Sequence, residues 1–429
     1  RERGRYMGLF GAVMALATIG GPLVGGVITD GIGWRWNFYV ALPFAVAALI
    51  IVQRTLHLKP LAARKVSIDY LGIVLLSAAV SLLLIWVTTA GDSFDWWSVT
   101  TLLMVGGAVL AAVLFIVVEL RSREPLVPLS MFRSRTFTLA VLASIATGIA
   151  GASVFLSQYM QLARGATPTE AGLMTIPMIA GLLVASVGVG QLITRFGHWK
   201  PYLIGGSISL IAGSALLTTI HYDTNFALVS LYMFLLGAGV GMTMQNLVLI
   251  VQNTTEPTKI GVARSGVTFF RSLGGSVGVA VMGAALAGSV TDLLGGRKDD
   301  VTAALATLGD QASTWASQLQ SGSLPQVSAM PEGLRVIFED VYAQGISQSF
   351  LILVPFAIVS LIAIAFLPNV PLTRMTNRER LEAGEADLAT VSVAEGMETL
   401  TATAQLGADS DSSHRAKAAG AASTQEPPR

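Results

Sequence analysis

Residues Tyr70–Ala90 read YLGIVLLSAAVSLLLIWVTTA, without one charged side chain. A helix rises about 1.5 Å per residue, so roughly 20 residues cross about 30 Å of hydrocarbon. This stretch has that length, and it is one of ten. The others are Met7–Thr29, Asn37–Gln53, Val99–Val118, Phe137–Tyr159, Gly172–Ile193, Tyr202–Ile220, Phe226–Val251, Val267–Val290 and Phe350–Phe366. A soluble core does not need ten such runs in a row. A bilayer does, because backbone polar groups in lipid must be satisfied inside each segment. The expected fold class is therefore all-α, a polytopic membrane protein with about ten transmembrane helices.

Composition agrees and removes other classes. The chain is 53% hydrophobic and 12% charged, which excludes disorder for the main body. Many of its 44 glycines lie inside the apolar runs, where glycine lets membrane helices approach closely. There is no cysteine, so disulfides and thiolate chemistry are excluded. The four histidines are scattered without an HExxH neighbour, and no metal is expected. No nucleophile–base pair recurs, so an enzyme is not expected. A net charge of +1 gives no field that points to nucleic acid. No GxxxxGK[ST] loop is present, so no cofactor and no ATP hydrolysis are expected, and uphill transport must draw on an ion gradient. Gly237-Ala238-Gly239-Val240-Gly241 imitates a dinucleotide loop, but it lies inside an apolar run with no strand before it. Tight helix packing is the expectation there.

Basic residues set the orientation. Of the 27 Lys and Arg, 22 fall on the side of the N-terminus and 5 on the other: Arg35, Arg164, Arg297, Lys298 and Arg335. The side rich in Lys and Arg is cytoplasmic. Both termini are then cytoplasmic, as an even helix count requires, in a multi-pass protein of the cell (inner or plasma) membrane. Trp34, Trp36, Trp96 and Trp97 are expected as interfacial anchors at the outer boundary.

Cytoplasmic stretches Arg54–Asp69 and Leu120–Thr136 set off the pair Tyr70–Ala90 and Val99–Val118. This divides the chain into residues 1–53, 54–124 and 125–367. A long external loop is expected at 291–345, polar and helix-tolerant, with breakers at Pro325 and Pro331. Residues 368–429 are expected as a disordered cytoplasmic tail, with a turn or two of helix at Glu379–Glu385. The chain opens on Arg1 without a secretory signal, and is expected to be a fragment or a trimmed piece.

The first apolar run is the most specific segment. It contains Gly20-Gly21-Pro22-Leu23-Val24-Gly25-Gly26. Pro22 has no N–H, so the Thr18 carbonyl loses its helical partner and a bend is expected. Gly21 and Gly25, four apart, share a face and permit a close crossing. One reading is a kinked packing helix. The sharper one is a hinge, in which Gly21, Pro22 and Gly25 form a close crossing that seals one face of a transporter.

These residues resemble the antiporter motif of the major facilitator superfamily. Trp34-Arg35-Trp36-Asn37-Phe38 with Pro43, and Glu124-Pro125-Leu126-Val127-Pro128-Leu129-x-x-Phe132-Arg133, are similar to its fourteen-helix drug:proton antiporter branch. So is Phe269-Phe270-Arg271-Ser272-Leu273-Gly274-Gly275-x-x-Gly278. The resemblance implies that the first helix here is the fifth of fourteen. Residues 1–53 would hold the last two helices of the N-terminal bundle. Residues 54–124 would hold two inserted helices, and 125–367 the C-terminal six. It implies efflux of a small amphipathic substrate in exchange for protons, along a path between bundles. The alternatives are a truncated membrane fragment that does not transport, and an exporter of one specific metabolite.

A copy of the family's cytoplasmic loop motif is carried by Gly190, Arg195, Gly197 and Lys200. The family's acidic residue falls at Thr194, which leaves that charge relay without its carboxylate. Arg195 and Lys200 also fit the positive-inside rule alone, and Gly197 suits a tight turn. Polar residues in or near the spans are few. Gln158, Gln161, Gln191, Gln245 and Asn246 serve either as interhelical glue or as the lining of a substrate path. Arg271, about two turns inside its helix, either snorkels to the cytoplasmic face or supplies a counter-charge. Asp30, ending the first helix, is expected as a solvated helix end.

Overall fold

The apolar runs are helices in the computed structural model, which describes residues 20–55, 69–90, 93–122, 125–127, 129–151, 154–256, 259–320, 327 and 330–370. Residues 20–31 form α1. They are followed by α2 (Trp36–Thr55), α3 (Tyr70–Thr89) and α4 (Val99–Arg121). A 3-10 turn at Leu129–Arg133 leads into α5 (Arg135–Ala150), α6 (Val154–Leu162), α7 (Pro168–Met174) and α8 (Ile176–Phe196). Then come α9 (Lys200–Leu217), α10 (Phe226–Thr254), α11 (Ile260–Gly296), α12 (Lys298–Ala306), α13 (Ala312–Gln320) and α14 (Glu332–Ala365). No strand forms among the described residues beyond an isolated bridge between Ala90 and Phe94.

Nine stretches among the described residues are long and apolar enough to cross a membrane, with α5–α6 and α7–α8 each counting as one. Of the tenth expected run, only the part that becomes α1 is described. Residues 7–19 of it, and the expected tail from 371 onward, lie outside the described residues.

Local sequence accounts for the ends. Asp69 accepts a hydrogen bond from the Gly72 N–H at the start of α3, and Asn225 from the Ala227 N–H at the start of α10. Each satisfies one of the donors a helix N-terminus leaves orphaned. Thr167 and Glu170 form a reciprocal capping box on α7, with Pro168 at its first turn. Gly197, at φ +73°, ends α8 in the left-handed conformation that glycine adopts freely. At the end of α4, buried Glu119 accepts hydrogen bonds from the Leu126 (3.2 Å) and Val127 (2.7 Å) N–H groups. It thereby folds Leu126 and Val127 back against the helix.

Two spans are longer than their apolar runs. α11 occupies 37 residues and α14 occupies 34. The polar loop expected at 291–345 is therefore mostly helical: the end of α11, α12, α13 and the start of α14. The reason is packing that hydropathy does not register. Val327, Met330, Leu334 and Phe338 are buried in the main core, and Leu305, Leu308 and Trp315 lean against it. An Arg297–Asp340 ion pair of 2.6 Å joins the end of α11 to α14.

Glycines set the helix crossings. A Cβ at Gly278 would lie 2.7 Å from the Ile149 carbonyl oxygen, and one at Gly274 would collide with the Ile145 carbonyl, so α11 runs backbone to backbone along α5. In α10, Gly237 and Gly241 abut α8 at Met178 and Leu182, while Gly239 abuts α9 at Leu210. The expectation of tight packing at 237–241 holds, on two faces at once.

These pairings also give direction. Residues 145 and 149 of α5 match 274 and 278 of α11, so the two are parallel, and α8 is likewise parallel to α10. Gly206 meets Met242 and Gly213 meets Leu236, so α9 opposes α10. Thr147 of α5 hydrogen-bonds Ser360 of α14 at 2.8 Å, and Gly345 of α14 meets Leu286 and Val290 of α11. The six spans from α5 to α14 thus alternate in direction, which puts residues 135 and 365 at the same end. α3 and α4 pair with each other, with the Trp86 indole N–H on the Thr101 hydroxyl at 3.3 Å, and α3 also packs against α11. None of α2's residues is buried, and apolar side chains such as Phe44 and Leu49 stand exposed, as lipid-facing residues do.

Candidate functional site

α1 crosses α7 almost backbone to backbone. A Cβ on Gly26 would lie 2.7 Å from the Thr169 Cα and 2.8 Å from the Pro168 carbonyl oxygen. Across the contact, a Cβ on Gly172 would lie 2.7 Å from the Pro22 carbonyl oxygen. Both helices carry a proline at this level. Pro177 begins α8 just after α7 ends, and the Thr175 hydroxyl closes onto the Gly172 carbonyl at 2.8 Å. The crossing therefore joins a helix that carries Pro22 to one that breaks at Thr175, where α7 gives way to α8.

The face differs from the one expected. Among the described residues, Cβ atoms on Gly20 and Gly21 would meet nothing within 4 Å, and one on Gly25 would meet only the Asn37 Oδ1 at 3.8 Å. The close approach belongs to Pro22 and Gly26 instead. A run with two Gly-Gly pairs offers two possible faces, and only the neighbour decides between them. Gly25 has another role. Its carbonyl accepts the Thr29 hydroxyl at 2.7 Å and the Asn37 side-chain N–H at 3.4 Å, and Asn37 also donates to Thr29 at 2.9 Å. Asn37, whose motif membership was the only sequence signal, pins α2 back onto α1 across the turn at Gly33 (φ +98°).

Asp30 is not a free helix end. Its carboxylate accepts the Thr169 N–H at 2.9 Å and the Thr169 hydroxyl, so it bridges the end of α1 to the start of α7. No sequence signal connected positions 139 residues apart.

The expected cytoplasmic loop motif resolves into turn and anchor. Gly197 makes the turn. Lys200 donates to the Leu367 carbonyl at 2.9 Å, and the buried Trp199 indole donates to the Val370 carbonyl at 2.8 Å. Arg195 is exposed and lies over the Phe196 ring, and a Cβ on Gly190 would meet nothing within 4 Å.

The polar residues expected along a path are not joined. Gln161 bonds to Ser157 and Asn246 to the Met242 carbonyl, each within its own helix. Gln245 and Gln191 are exposed, and Gln158 is half-buried. Arg271 is the informative one. It is the twelfth residue of α11, about 16 Å and three turns from its start, not two. Its carbonyl lies against Gly148, the middle of the α5–α6 span. Its side chain is half-buried without an ion-pair partner among the described residues. Arg271 therefore lies level with the middle of the α5–α6 span, and cations inside a span usually mark a functional path. Ser265, Thr268, Ser272 and Ser276 lie three or four residues apart on α11, one face of the helix. The three serines are exposed and Thr268 is half-buried. A hydroxyl face flanked by an arginine is unsuited to lipid. If it lines a path, Arg271→Ala should lower transport about tenfold, the order expected for losing a hydrogen bond to a charged group. Membrane abundance should be unchanged and Arg271→Lys should restore part of the activity. Transport and abundance falling together would mark a packing residue instead.

Among the described residues no group of His, Asp or Glu is placed to hold a metal ion. Apolar spans of alternating direction and glycine crossings define a multi-pass helical membrane protein. The chain belongs to the Major Facilitator Superfamily, whose family model matches residues 1–279. It is 36% identical over 385 residues to an uncharacterized MFS-type transporter of Mycobacterium tuberculosis, covering 87% of this chain and 52% of that protein. It is 32% identical over 336 residues to the multidrug transporter protein MdtP of Bacillus subtilis, covering 78% of this chain and 60% of MdtP. The chain thus spans about half the length of the first of these relatives. Among solved structures it is similar to a bacterial homolog of the human lysosomal transporter Spinster, with 16% identity and a TM-score of 0.41 over 69% of this chain and 65% of that one.

Proposed function

We propose that this chain is part of a proton-coupled exporter of small amphipathic compounds. The observation that carries the reading is the crossing of α1 with α7, where two proline-bearing helices touch through Gly26 and Gly172. Such a contact can open and close as a unit, because a helix with a missing backbone bond bends more easily than an intact one. In this reading α1 and α2 belong to one bundle, α5 to α14 to the other, and α3 and α4 are an inserted pair. Alternating access rocks the bundles about a central site. The hydroxyl face of α11 and Arg271 line that site. The multidrug names of relatives such as MdtP support the substrate class.

Efflux of a lipophilic cationic dye should stop when the proton gradient is collapsed at constant ATP. Efflux that survives the collapse and follows ATP would overturn the coupling. The membrane orientation is tested separately. Both termini are cytoplasmic in this reading, so a reporter fused after Arg429 should report cytoplasm and one inserted between α13 and α14 the outside. The reverse pattern would invert the assignment.

A further inference from the structure

The geometry points to a binding site for an anionic phospholipid between α5 and α14, at the end where α5 begins and α14 finishes. A groove of about 490 Å³ lies there, within the size range of ligand sites. Its origin is the crossing. The Thr147–Ser360 bond pins α14 to α5 five residues before α14 ends, and Ser360 also lies 3.4 Å from the Ala143 carbonyl. Beyond that pin the helices are separated by Ala363, too small to fill the space.

The walls are apolar: Leu139, Leu142, Val359, Ile362 and Phe366. Leu142, Val359, Ile362 and Phe366 are exposed. Thr138, the one hydroxyl in the lining, spends its donor on the Phe132 and Ser134 carbonyls. Such a surface suits acyl chains and contrasts with the hydroxyl face of α11.

The rim carries the opposite chemistry. Arg133 and Arg135 line the same groove. Both are exposed, and neither has an ion-pair partner among the described residues. Arg135 opens α5, whose first turn holds no acidic residue. A cation at a helix N-terminus opposes the helix dipole, so an external anion is favoured there. In the proposed orientation the groove lies on the cytoplasmic side, where anionic headgroups attract basic pockets between helices. Two guanidinium groups above an apolar cleft match one molecule: a phosphate headgroup that clasps the arginines, with an acyl chain lying along Ala363.

The test is native mass spectrometry of the whole chain in detergent, titrated with phosphatidylglycerol or phosphatidylcholine. The wild type should retain one phosphatidylglycerol several-fold more strongly than phosphatidylcholine. Arg133→Gln/Arg135→Gln should erase that preference. Ala363→Trp, which fills the cleft and leaves both arginines, should displace the lipid as well. Inorganic phosphate at equal concentration should not compete; if it does, the site reads a free anion and the lipid assignment fails. Equal retention of both lipids by the wild type would overturn the proposal without reference to any variant. So would unchanged phosphatidylglycerol binding in both variants.

Discussion

Gly26→Leu is expected to lower efflux per inserted molecule about tenfold or more, while Gly21→Leu stays close to wild type. A leucine at Gly26 must displace the backbone of Pro168 and Thr169, since a Cβ alone would sit 2.7–2.9 Å from three of their atoms. Overpacking typically costs about 1–3 kcal/mol, and two transport states differ by a few kcal/mol, so a shift of that size moves most of the population. Gly172→Leu intrudes on the Pro22 carbonyl from the other side and should have the same phenotype. At Gly21 a side chain meets nothing within 4 Å. The measurement is dye efflux normalised to protein in the membrane. Equal loss at Gly21 and Gly26 would show that the segment is sensitive everywhere and that the crossing is not the cause. Normal efflux in both Gly26→Leu and Gly172→Leu would sink the gate.

Gly237→Leu is expected to remove the folded protein altogether. A Cβ at Gly237 would collide with the Met178 carbonyl and would lie 3.2 Å from the Leu182 N–H nitrogen. Neither is a side chain that can turn away. α10 is held between α8 and α9, so it cannot retreat without opening the contact at Gly239. Strain that must be relieved by moving backbone exceeds the usual overpacking cost and is a large share of a stability of about 5–15 kcal/mol. The control is Gly205→Leu on α9, at an exposed position where a Cβ would meet nothing within 4 Å. Membrane abundance and the thermal midpoint in detergent should collapse for the first and hold for the second. Equal midpoints would mean the α8–α10 crossing is looser than its geometry.

Much of the fold was legible because the bilayer imposes one rule on every span. Each span must be long, apolar and internally hydrogen-bonded, so Tyr70–Thr89 and its counterparts are visible in isolation. The caps at Asp69, Asn225 and Thr167, which went unread in the sequence, are just as local, since donor and acceptor lie within a turn of each other. The run Gly237–Gly241 likewise announced tight helix packing, and the motif Phe269–Gly278, read only as a family resemblance, proves to pack as well. Its glycines at 274 and 278 do lie on α5.

What stayed hidden was relational. Hydropathy saw α14 only from Phe350, because Glu332–Ser349 mixes charged residues with the buried Leu334, Phe338 and Tyr342. A polar segment becomes helix when one stripe of it finds a core. Arg271 looked shallow because its depth is set by where α11 starts and by Gly148 opposite, not by its distance from the apolar run. The candidate site depends on such pairings throughout. By itself the sequence determined the class of protein and the helices, since these follow from length and hydropathy. Only the tertiary structure decided that Gly26 rather than Gly21 or Gly25 meets a neighbour, and that Asp30 reaches Thr169. A glycine is small toward every direction, and an aspartate can accept from any donor. Which direction and which donor are properties of the second helix.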